Sequence, residues 1–160
     1  MRLQMSPLTR THLLAGKALA CFMAGAMIQV LLFAIGRIGF KVIPNSWLLM
    51  GMAAFSTLVA FVGIMMLMAG LGKTEQAAGG IGWALMMPLA LFGGGMVPLA
   101  FMPEWMSKVG MVSPVRWAIL ALEGALWRGF SLNEMLFPCA VLVAMGVLCF
   151  AVGTRTLRLN

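Results

Sequence analysis

Charged residues are absent from four stretches of the chain, residues 18–36, 42–72, 76–103 and 135–154, and they gather in the segments between. A helix rising about 1.5 Å per residue needs roughly 20 apolar residues to cross a hydrocarbon core about 30 Å thick. Each stretch has the length to do so. The pattern predicts an all-α, polytopic integral membrane protein with four transmembrane helices at about 18–36, 46–71, 77–97 and 134–154, forming one transmembrane domain over residues 1–160. Residues 98–133 mix charges with Trp105, Trp117 and Trp127, which predicts short interfacial or re-entrant helices between the third and fourth spans.

Local signals refine these limits. Ser6 and Pro7 have the order of an N-cap followed by a proline at the first helical position, so a short polar helix leads through Lys17 into the first span. Gly36 and Gly39, flanked by Arg37 and Lys41, are expected to end that span, and Pro44, Asn45 and Ser46 to start the second beside an interfacial Trp47. The third run contains Pro88 and then Gly93, Gly94, Gly95 and Pro98, so a regular helix is not expected past Phe92. Broken backbone at membrane depth survives only against protein or a water-filled cavity. The break is therefore either a functional surface or simply a helix end at the interface. Ser113 and Pro114 repeat the cap-plus-proline start, after which Arg116, Leu120, Glu123 and Trp127 fall on one stripe at helical spacing. Ser131 and Glu134 have capping-box spacing before the last span, with Phe130 and Met135 placed for a hydrophobic staple.

Composition narrows the chemistry. Hydrophobic residues make up 62% of the chain and charged residues 9%, against roughly 25% charged in soluble domains. The net charge of +7 comes from eleven Lys and Arg residues scattered singly at the ends of apolar runs. That is the arrangement of interfacial anchors facing a lipid bilayer, and it predicts no nucleic-acid partner. Cys21, Cys139 and Cys149 all lie in apolar runs without CxxC spacing and read as small buried hydrophobes. Gly70-Leu71-Gly72-Lys73-Thr74 resembles the end of a phosphate-binding loop, but Leu67 stands where that loop needs its first glycine. With no aspartate, one histidine and four dispersed glutamates, no catalytic residue, metal site or cofactor is predicted. Arg116 and Glu123 either face a shared cavity or form the polar stripe of an interfacial helix. Orientation is not decided by charge, because six basic residues lie on the side of the termini and five on the other.

Short motifs carry a family resemblance. The segment SPLTRTHLLAGK at residues 6–17, followed by MPEW at 102–105 and SPVRW at 113–117, resembles the membrane subunits, or permeases, of ABC-2 type transporters, and the order of spans fits as well. The resemblance covers the last four spans of a six-span permease, so Met1 would be an internal start or mark a fragment. It implies an exporter subunit that is not itself an enzyme, working with a separate ATP-binding cassette ATPase and a second permease subunit. It further implies a bacterial inner-membrane location with both termini cytoplasmic. Ser6, Pro7, Leu8, Thr9 and Arg10 would then couple to the ATPase. Gly93, Gly94, Gly95, Pro98, Arg116, Trp117 and Glu123 would belong to an outer gate or pathway. The alternative is a small membrane scaffold or assembly subunit, or a permease remnant that does not transport.

Overall fold

The computed structural model describes residues 10–72, 74–97 and 101–159. These residues form six α-helices: α1 (Arg10–Phe40), α2 (Trp47–Leu71), α3 (Glu75–Gly93), α4 (Glu104–Gly110), α5 (Pro114–Glu123) and α6 (Leu132–Leu159). A π-helical turn, Gly124–Arg128, extends α5. Four of the helices are long and apolar enough to cross a membrane, over Ala15–Phe40, Trp47–Leu71, Gln76–Gly93 and Leu132–Thr156. The protein is an all-α, multi-pass membrane protein, as the charge-free runs predict.

Helix α2 and helix α6 form the core. In lipid there is no hydrophobic force between helices, so they associate where small side chains let backbones approach. Here a Cβ on Gly63 would run into the carbonyl of Gly146, and one on Gly70 would lie 2.7 Å from the carbonyl oxygen of Gly153. Both contacts advance in the same sense along the two chains, so α2 and α6 are parallel. Ala53, Ala60, Met135 and Leu142 are completely buried along the same seam. Ser56 and Thr57, also buried there, donate their hydroxyl protons to the Ala53 carbonyl at 3.1 and 2.7 Å, which satisfies them without a partner helix.

The other spans run against this pair. Phe22 of α1 meets Phe55 edge-on with ring centroids 6.0 Å apart, and Phe33 further along α1 meets Trp47 at the start of α2 at 5.6 Å, which sets α1 antiparallel to α2. Gly82 of α3 faces the Met68 sulfur, while Gly72 faces Ala78, which sets α3 antiparallel to α2 as well. The end of α3 and the start of α6 therefore lie at one end of the bundle. Helices α4 and α5 connect those two points and bend by 99° at their junction. A segment that begins and finishes at the same end does not cross, so α4 and α5 are a re-entrant pair and not a fifth span.

Several helix limits differ from the sequence expectation. Helix α1 runs through Gly36 and Gly39 to Phe40, and the turn falls at Lys41, whose φ of 54° is left-handed. A span's apolar length sets where helix is required, and lone glycines cost only about 1 kcal/mol each, too little to stop it. Helix α3 passes through Pro88 without a break and stops at Gly93, one residue beyond Phe92 where regular helix is expected to end but short of the span limit at 97. Proline removes one backbone hydrogen bond, a loss that membrane helices tolerate. Gly94 ends the helix instead, at φ 96°, with its N–H and that of Gly95 both donating to the Ala90 carbonyl.

The re-entrant end as candidate functional site

The re-entrant pair is locked to α3 by one hydroxyl. Ser113 precedes Pro114 at the start of α5, and its Oγ accepts from the Val115 N–H at 3.2 Å, as the cap-plus-proline pattern predicts. The same hydroxyl donates to the Leu89 carbonyl of α3 at 2.6 Å. Ser113 is almost completely buried, at 1% exposure, so both bonds form out of water. Gly93 makes the approach possible, since a Cβ there would fall 2.7 Å from Ser113 Oγ and 2.9 Å from the Arg116 nitrogen. Gly93, Ser113 and Arg116 are thus brought together, while Gly94 and Gly95 form the turn beyond them.

Arg116 holds the corner between α4 and α5. Its Nη1 donates to the Ser107 carbonyl at 2.6 Å and to Ser107 Oγ at 2.9 Å. A guanidinium at the last turn of α4 satisfies a carbonyl that the helix leaves free and sits at the negative end of its dipole. Trp117 closes the same corner. Its Nε1 donates to the Met111 carbonyl at 2.8 Å, and its ring meets Phe137 of α6 edge-on at 5.5 Å.

Glu123 has a different partner. Arg128 reaches it twice, with Nη2 at 2.7 Å and Nε at 2.8 Å from Oε2. Arg116 and Glu123 therefore engage separate groups and do not pair with each other. The π turn explains the geometry, since its wider winding brings residues five apart to one side. Gly129 ends the turn at φ 64°, and the Phe130 N–H donates to the Gly124 carbonyl at 3.2 Å. The loop before α2 is tied in as well, through the Asn45 N–H to the Ala125 carbonyl at 3.0 Å.

The last span starts from the predicted capping box. The Ser131 N–H and Oγ both donate to Glu134 Oε2 at 2.8 Å, and the Glu134 N–H points back to Ser131 Oγ at 3.5 Å.

Sequence reasoning identified Ser113 as a cap but not as a bridge to α3, and it did not pair Arg128 with Glu123. The five-residue spacing of that pair reads as a mismatch in a regular α-helix, and it becomes a signal only if a π turn is allowed. It also gave no role to Gln29, which lines an apolar cleft of about 300 Å³ between α1, α2 and the π turn. Of the predicted coupling residues, Arg10 opens α1, and Ser6, Pro7, Leu8 and Thr9 lie outside the described residues, as does Pro98.

Comparison with known proteins supplies what the geometry alone does not. No solved structure matches the chain. Linearmycin resistance permease protein LnrN of Bacillus subtilis (strain 168) is 25% identical over 101 residues, which cover 63% of this chain. The same stretch is 26% of that relative, so the chain spans only a minor part of the relative's length. The family model for the ABC-2 type transporter matches residues 1–127, which takes in α1 to α5 and most of the π turn. The match covers well over half of the chain, and the chain belongs to the ABC-2 type transporter family of membrane proteins.

Proposed function

We propose that this chain is the membrane-spanning permease part of an ATP-binding cassette exporter, contributing to the substrate path and coupled to a separate ATPase. The family match over residues 1–127 carries the reading. Outward transport is favoured by the relative's name, which speaks of a permease for resistance. In this reading both termini are cytoplasmic, in a bacterial inner membrane, and a second permease subunit completes the path.

The mechanism places the coupling segment, Ser6 to Arg10, against the ATPase. Residues 10–40 form one uninterrupted helix, so a push at the start of α1 reaches its far end without a joint to absorb it. At that far end lie the re-entrant pair and the outer residues Gly93, Gly94, Gly95, Arg116, Trp117 and Glu123. Nucleotide binding drives export only if it favours one of two arrangements of this unit.

The test is co-purification and transport with the permease carrying this chain. A Pro7, Leu8 and Arg10 triple alanine variant is expected to lose ATPase binding and export while still inserting in the membrane. Glu123→Gln is expected to lower export at normal expression, because it frees Arg128. Intact ATPase binding and wild-type export in the triple variant would refute the coupling assignment and favour a scaffold role.

A further inference from the structure

We propose that the cleft between α1, α2 and the π turn is a binding site for one acyl chain of an anionic phospholipid from the surrounding bilayer, with its headgroup held by Arg37 and Lys41. The cleft holds about 300 Å³ and is lined by Gln29, Phe33, Met50, Leu122, Leu126 and Trp127, among others. At the roughly 30 Å³ that a water-sized group occupies in a liquid, it takes about ten such groups in a row, a large part of an acyl chain. It extends along α1 from Gly36 to Gln29, roughly 10 Å at helical rise, so its long axis follows the direction in which lipid chains lie.

The mouth of the cleft is what selects the headgroup. Gly36 and Val42 line the upper end, and their chain neighbours are the cations Arg37 and Lys41, both exposed. The Arg37 guanidinium sits over the Trp47 ring, 5.3 Å from its centroid, and that ring also meets Phe33 of the cleft wall edge-on at 5.6 Å. This fixes a charge beside the opening that a free arginine would carry into water. The nearby carboxylate, Glu123, is already neutralised by Arg128. Among the described residues neither Arg37 nor Lys41 forms an ion pair, so the rim carries uncompensated positive charge above an apolar slot. A phosphate headgroup complements the rim and an acyl chain complements the slot.

The floor of the site is built rather than incidental. The π turn brings Leu126 and Trp127 to the cleft, and the bond from Asn45 N–H to the Ala125 carbonyl fixes the loop that carries Lys41 against that turn. A second copy of the chain or another protein segment seated here would leave the cations without an anionic partner unless it brought one.

Native mass spectrometry of the full chain, released from bilayer discs containing phosphatidylglycerol and phosphatidylcholine with identical acyl chains, tests the site. Each juxtamembrane cation favours an anionic lipid by about fivefold, so retention of phosphatidylglycerol over phosphatidylcholine is expected at fivefold or more. Arg37→Gln with Lys41→Gln is expected to bring the ratio close to one while leaving total lipid retention in place. Ala54→Leu, which fills the slot and keeps both cations, is expected to reduce retention of both lipids. Equal retention of the two lipids by the wild type would overturn the proposal. So would a preference that survives both variants, or a wild-type chain that retains no lipid and appears as a dimer.

Discussion

Placing a methyl group on Gly146 is expected to pry α2 and α6 apart. Its Cβ would lie 2.5 Å from the Val59 carbonyl oxygen and 2.8 Å from the Ala60 Cα, whereas ordinary contact begins at 3.4 Å. The shortfall at the closest atom is 3.4 minus 2.5, or 0.9 Å. Both obstacles are backbone and have no rotamer to escape into, so the helix itself must move. Overpacking of this kind costs about 1–3 kcal/mol, and the seam also loses the dispersion contacts that hold helices together in lipid. For a chain of this size each kcal/mol lowers the melting temperature by roughly 2–4 °C.

The assay uses the protein's own thiols. Cys139 is 7% exposed within the seam, so in a Cys21→Ser, Cys149→Ser background a thiol-reactive dye reports its exposure as α6 parts from α2. Gly146→Ala is expected to melt several degrees below the parent, and Gly63→Ala to do the same because it fills the same gap. The double variant is expected to be less than additive, since the first methyl already opens the space for the second. Gly80→Ala on α3, where a Cβ meets nothing within 4 Å, is the control and is expected to leave the midpoint unchanged or slightly raised. A Gly146→Ala chain that melts with the parent would refute the close backbone approach.

Two further outcomes follow from the same structure. Ser113→Ala removes both the α5 cap and the bridge to Leu89, at about 1–2 kcal/mol, and is expected to raise amide exchange at the start of α5 and at the end of α3 together; exchange rising in α5 alone would show that the bridge does not hold α3. In a cysteine-free background, Thr74→Cys is expected to react with an impermeant thiol reagent from one face of the membrane and Lys108→Cys from the other; labelling of both from one face would refute the re-entrant path of α4 and α5.

The number and type of membrane elements were legible because bilayer thickness imposes its own length on the sequence. Capping chemistry was legible too, since Ser113–Pro114 and Ser131–Glu134 act within one helical turn and need no knowledge of tertiary structure. The core was not. Along α2 every position but Ser56 and Thr57 is apolar, so hydrophobic pattern says little about which face is buried; the rest of the information lies in the small residues Ala53, Ala60, Gly63 and Gly70, which matter only once a partner helix with Gly146 and Gly153 is known. The pairing of Glu123 was hidden for another reason. A π turn shifts register by one residue, and the α-helical stripe that grouped Glu123 with Arg116 and Trp127 dissolves at Gly124.

The distribution of packing also bears on which parts can move in the proposed export cycle. A conformational switch needs elements with two alternative arrangements, and interfaces that interlock backbone against backbone resist sliding. The α2–α6 seam is of that kind from the contact of Gly146 with Val59 and Gly63 to that of Gly153 with Met66 and Gly70, and it is continued by the buried side chains of Leu142 and Met135. Helix α1, by contrast, touches α2 through Gly25 and a few aromatic edges, with Met27 and Ile38 largely exposed. Helix α3 is held at one end by the short connection from α2 and at the other by Ser113, so it is tied to the re-entrant pair more firmly than to the core. The seam is therefore best suited to be the fixed frame of each subunit. Motion entering at the start of α1 would be expressed as displacement of α1 against that frame, with the cleft that carries Arg37 and Trp127 opening or closing between them.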